Sequence, residues 1–194
     1  MQDYNYALFV HIVAIVTMYA AISITMVTHH FARRAQSVEA VRTLMAMGKP
    51  AGQAIPLLAL VALAAGAYMV EDIWAWDVSW IYISLAFFLA MLLLGPLVTE
   101  RRFQAIGREA GLAPDGSITP GLRARLDDAV LTTTERAMFV AGLGIVYLMT
   151  DKPGSGESAL AMGISVALGL LWSAPAWLTA RARPAEAAGA SSAE

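Results

Sequence analysis

Apolar residues along this chain come in five long runs separated by short polar segments. A bilayer core requires about 20 mainly apolar residues in a helix, because unpaired backbone groups are not tolerated in hydrocarbon. Such runs fall at residues 7–28, 54–73, 78–99, 134–150 and 158–180. The fourth is the weakest. Its uncharged part, 137–150, is too short to cross alone, and Arg136 has to snorkel to lengthen it. The pattern predicts an all-α, polytopic membrane helix bundle of five transmembrane helices, with helical extensions on one side.

Charge decides the span count and the expected orientation. The segment 29–53 holds Arg33, Arg34, Arg42 and Lys49, the segment 100–136 holds six arginines, and the tail adds Arg181 and Arg183. With five spans these basic residues share one side and Lys152 alone lies on the other, the asymmetry that the positive-inside rule expects. Four spans would strand the tail arginines outside. The first span has no basic residue before it, which predicts an outside amino terminus and a cytoplasmic carboxyl terminus in an inner (plasma) membrane. That span is also too long for a cleaved signal peptide and lacks a positive leading region. Trp74, Trp76 and Trp80 flank the predicted outer loop and Trp177 the inner end of span five, as interfacial anchors do.

The inner segments read as helical. After the first span no breaker occurs until Gly48 and Pro50, so the first helix is expected to continue well past the membrane. Residues 100–110 are also free of breakers, and Pro114, Asp115 and Gly116 then signal a turn. Thr119 with Pro120 reads as a helix start. Leu122, Leu126, Val130 and Thr133 follow at helical spacing, with Arg123 and Asp127 one turn apart, in a stretch that can run into span four. Together these predict a small cytoplasmic helical layer, either a solvated cap or a docking surface. The tail, 184–194, is expected to be disordered.

Composition closes several functional classes. Hydrophobic residues make up 58% of the chain and charged residues 14%, which excludes an ordinary soluble fold. The net charge of -2 and the scattered basic segments argue against nucleic-acid binding. With no cysteine, disulfides and thiolate sites are excluded. No phosphate-binding glycine loop, zinc helix motif or serine elbow occurs, so an enzyme is not the expected class.

Helices in lipid associate through small residues and polar contacts. Span five carries two such rows, Ala159, Gly163 and Ala167, and Ser165, Gly169 and Ser173; span two has Ala62 and Gly66, and span four Gly142 and Gly144. Two rows on one helix suit either an internal bundle or an oligomer. Pro96 and Pro175 are expected to bend or end their helices.

His11 is the titratable side chain deepest in a span, and three readings stand open for it. It can hydrogen-bond within the bundle, serve as an axial haem ligand, or line a proton or substrate path. Met18 lies on its face at helical spacing and is the nearest methionine candidate for a cofactor. His29 is eighteen residues on, roughly 27 Å along the helix, too far to share a ligand with His11. His29 and His30 with Arg33 and Arg34 make a basic patch suited to anionic lipid headgroups or a partner, and Arg101 and Arg102 are placed with them. Glu71, Asp72 and Asp77 form an outer acidic rim without a recognised calcium spacing.

The early His11, with the run Met149, Thr150, Asp151, Lys152 and Pro153 after span four, resembles bacterial predicted integral membrane proteins of unknown function, which are similar in architecture to the copper-resistance D membrane domain. Families of that kind carry a Trp and a Gly pair after the first histidine, where this chain has Met18, Tyr19, Ala20 and Ala21. The resemblance implies the helical architecture and, through that domain, a metal or redox role.

The expectation is a non-enzymatic membrane protein acting as a homo-oligomer or as a subunit of a membrane complex. A haem- or quinone-linked electron carrier centred on His11 is the first alternative, and a small-molecule or ion transporter the second.

Overall fold

The computed structural model describes the backbone of residues 2–191 and the side chains of residues 2–178. In chain order it contains α1 (Gln2–Arg34), α2 (Val38–Ile73), α3 (Ser79–Leu94), a π-helical turn (Gly95–Glu100), α4 (Arg101–Leu112), α5 (Pro120–Leu126), α6 (Ala129–Asp151) and α7 (Ser155–Ser191). One isolated bridge, Ser37 with Ser117, is the sole extended pairing among the described residues. Five helical stretches are long and apolar enough to cross a membrane, which makes this an all-α, multi-pass membrane bundle. The expected disordered tail, 184–194, lies outside the residues whose side chains are described.

Within the bundle α1 packs along α2, α6 along α7, and α3 against α6. The weak fourth span takes the most interior place. In its most apolar stretch 39% of residues are buried by protein, against 11% for the span that begins at Ser79. A helix shielded by its neighbours needs less lipid-facing apolar surface, which accounts for its poorer hydropathy.

Two expectations about helix ends require correction. The first helix does not carry on to Met47: it stops at Arg34, and the stretch before Gly48 is the front of α2. Ser37 starts that new helix, its hydroxyl accepting from the Ala40 amide at 3.3 Å. α2 then passes through Gly48, Pro50 and Pro56 unbroken. A side chain at Gly48 would meet the Thr28 hydroxyl at 2.6 Å, so close packing of α2 on α1 prevails over the local breaker signal. The stretch from Leu122 also does not run straight into span four. Asp128 interrupts it and restarts the helix, accepting from the amides of Val130 and Leu131 at 2.8 and 3.3 Å. The restart changes the buried face, so that Leu131, Thr132 and Glu135 turn inward while Val130 is exposed.

Other local readings hold. Thr119 caps α5 ahead of Pro120. Pro96 lies in the π-helical turn, where the regular ladder cannot be kept. α7, by contrast, continues through Pro175.

At the arginine-rich end, Ala32, Val38, Val41, Ile106, Ala110, Leu122, Leu126 and Leu131 form one apolar core beneath the bundle. Polar contacts tie its rim. Arg42 donates to the carbonyls of Ala110 and Ala113 and pairs with Asp115. Glu39 accepts from the Gly116 amide at 3.0 Å, and its own backbone amide, with the Ser37 hydroxyl, holds its carboxyl below the usual carboxylate range. The expected helical layer is therefore a packed cap with its own core.

Candidate functional site

The sequence groups His29 with His30, but α1 turns them to opposite environments. His30 is exposed, whereas His29 is 2% exposed and points between α5 and α6. Its Nε2 lies 3.1 Å from the Leu126 carbonyl and its Nδ1 2.7 Å from Glu135 Oε2. A carbonyl can only accept, so Nε2 carries a proton. The contact at Nδ1 then holds one more proton between imidazole and carboxyl, either as an imidazolium with a carboxylate or as a neutral ring accepting from a carboxylic acid. The unit is neutral in both forms, which is what a water-poor site tolerates. Phe103 of α4 meets the ring edge-on at 5.3 Å. Glu135 is itself 8% exposed, and its second oxygen, Oε1, has no hydrogen-bond partner among the described residues.

Glu135 was not singled out by sequence reasoning, because Arg136 beside it marks the edge of a span. A signal existed: Leu131, Glu135, Met138, Gly142 and Ile145 recur at alternating steps of four and three, so the carboxylate stands in an inward-facing row. No local pattern could have named His29 as its partner, since 106 residues separate them.

Around this buried pair the arginines make specific contacts. Arg33 Nε lies 3.2 Å from Asp127 Oδ1, and its Nη1 reaches the Thr132 hydroxyl at 3.4 Å. Arg123 donates to the carbonyls of Arg33 and Ala35 at 2.6 and 2.8 Å, satisfying the end of α1. Arg102 pairs with Asp128, and Arg125 with Glu109. Arg136 donates to the Trp172 carbonyl at 2.5 Å, with its guanidinium 4.9 Å from that indole's centre. Arg34 and Arg101 are exposed.

His11 occupies a separate place, against α2. Its Nδ1 donates to the Ala62 carbonyl at 2.7 Å. Gly66, one turn on, makes room: a side chain there would lie 3.1 Å from the imidazole Cε1. Met18 is buried two turns further along α1. At about 1.5 Å of rise per residue the two side chains sit roughly 10 Å apart along the axis. They occupy different levels of the bundle.

At the opposite end Glu71 accepts from the Trp76 indole at 2.5 Å, while Asp72 and Asp77 are exposed. Lys152 lies over the Trp74 ring at 4.9 Å. No group of three or more metal-ligating side chains converges among the described residues.

No family model, no curated protein and no solved structure matches this chain. Its chemistry is that of the geometry alone: a neutral, proton-sharing His29–Glu135 pair at the junction of cap and bundle, a cationic margin around it, and a histidine early in span one fixed by one nitrogen against α2.

Proposed function

We propose that this chain is a non-enzymatic inner (plasma) membrane protein that self-associates through α7, as a homo-oligomer or as a subunit of a larger membrane assembly. One observation carries the reading. Of the two small-residue rows on α7, one is used within the chain: Ser173 is fully buried, and a side chain at Gly169 would lie 2.6 Å from the Ala137 Cα. The other row, Ala159, Gly163 and Ala167, is exposed, and a side chain at Gly163 would meet nothing within 4 Å. Glycine inside a helix costs about 1 kcal/mol relative to alanine, and a close helix–helix contact is what offsets it in lipid. Within one chain Gly163 has no such contact; a second copy of α7 would supply it.

Mild-detergent extraction followed by native electrophoresis tests this. Wild type should migrate as an oligomer and Gly163→Ile as a monomer of unchanged melting temperature. A wild-type particle that is monomeric and carries no other membrane protein overturns the proposal. The arginine distribution supports an outside amino terminus and a cytoplasmic cap. Impermeant labelling of cysteines introduced at Asp77 and Gln104 checks this: reaction from outside should occur at the first position alone.

A second reading has one observation in its favour. Because His11 Nδ1 donates to the Ala62 carbonyl, the neutral ring keeps its lone pair on Nε2, the arrangement in which a histidine binds haem iron or a metal. An absorption spectrum of the purified protein decides it: a Soret band lost in His11→Ala supports haem, and a colourless preparation removes that reading.

A further inference from the structure

The arginine-rich margin is divided between two open clefts whose charges differ. The larger, about 330 Å³, is walled by Arg101, Arg102, Arg125 and Asp128. There Arg102 is matched by Asp128 and Arg125 by Glu109, which leaves Arg101 alone without an acidic partner among the described residues. The second, about 260 Å³, lies between α1 and α6 and is lined by His30, Arg33, Arg34, Asp127 and Arg136. Asp127 pairs with Arg33, and neither Arg34 nor Arg136 forms an ion pair with a described carboxylate. Two positive charges therefore converge on one concavity with His30 beside them.

We propose that this second cleft binds a phosphate group, supplied in the membrane by an anionic phospholipid. The cationic side chains come from two helices and are partly held in place before any ligand arrives. Arg33 is fixed by Asp127 and Thr132, and Arg136 by the carbonyl and ring of Trp172. Preorganised guanidinium groups lose little freedom on meeting a phosphate and present paired donors to its oxygens. The surroundings single out a lipid as the source. Phe31, 54% exposed, meets His30 edge-on at 5.6 Å, and Trp172, 47% exposed, backs Arg136. Trp177 lies nearby on α7, its indole donating to Thr133 at 2.8 Å. Exposed aromatic rings beside basic side chains characterise the headgroup level, where acyl chains can lie along the rings while the phosphate enters the cleft.

The test uses the full-length protein in detergent, with bound lipid counted by native mass spectrometry after exposure to phosphatidylglycerol or phosphatidylcholine vesicles. Phosphatidylglycerol should be retained in preference to phosphatidylcholine. Arg34→Ala, which removes an exposed side chain, should weaken that retention about fivefold, whereas Arg101→Ala in the other cleft should leave it near wild type. Melting in phosphatidylcholine alone confirms that both variants fold. Equal retention of the two lipids, or equal loss in the two variants, overturns the proposal. A third arm adds inorganic phosphate: displacement of phosphatidylglycerol at comparable concentration assigns the cleft to a soluble anion and overturns the lipid assignment. None of these readouts depends on α7 self-association.

Discussion

Leu122, Leu126 and Leu131 are wholly buried in the cap, whereas Leu160, Leu168 and Leu171 of α7 are between 54% and 68% exposed. The residue type is the same and the solvent differs. Water expels the leucines of the cap, so it builds a conventional core with charged residues at the rim. Lipid does not distinguish a leucine from its own tails, so the bundle leaves many leucines outward and closes on small residues, Ala14, Ala62, Gly142, Gly144 and Ser173, with Leu148 and Met162 filling one larger inner patch. One chain thus folds under two rules, and the His29–Glu135 pair sits where they meet, joining α1 to the first turns of α6.

That junction should be the most sensitive point. Glu135→Ala leaves His29 Nδ1 without its partner in a buried site and should cost about 3–5 kcal/mol in thermal unfolding in detergent. Glu135→Gln should cost far less, because its amide can donate to a neutral ring. Equal losses in the two variants would mean that the proton shared with His29 contributes nothing. Next comes the cap itself: Leu126→Ala should destabilise by about 2–4 kcal/mol, against less than about 0.5 kcal/mol for the lipid-facing Leu168→Ala. Comparable effects at both positions would erase the distinction between the regions.

Overpacking sharpens the comparison from the other side. Gly169→Val in the bundle drives a side chain into the backbone of α6 and should cost about 1–3 kcal/mol. Gly107→Val on the exposed face of α4, where a side chain meets open space, should show no such loss and gain up to about 0.5 kcal/mol from helix propensity. Among the destabilising variants the mildest is expected at the N-cap of α6. Asp128→Ala removes the hydroxyl-free acceptor that caps α6 and one partner of Arg102, and should cost about 1 kcal/mol, measured as the shift in denaturant midpoint.

The run lengths of apolar residues sufficed to predict five helices long and apolar enough to cross a membrane, because hydrocarbon length acts on each segment separately. Thr119 with Pro120 was legible for the same reason: a cap is a property of a few neighbouring residues. Tertiary packing decided what neighbours cannot. It carried α2 through Gly48 and Pro50, sent the Ser165, Gly169 and Ser173 row inward while leaving Gly163 outside, and brought Glu135 to His29. Helices in lipid are matched by the shapes of whole faces, and a face is completed by residues from distant parts of the chain.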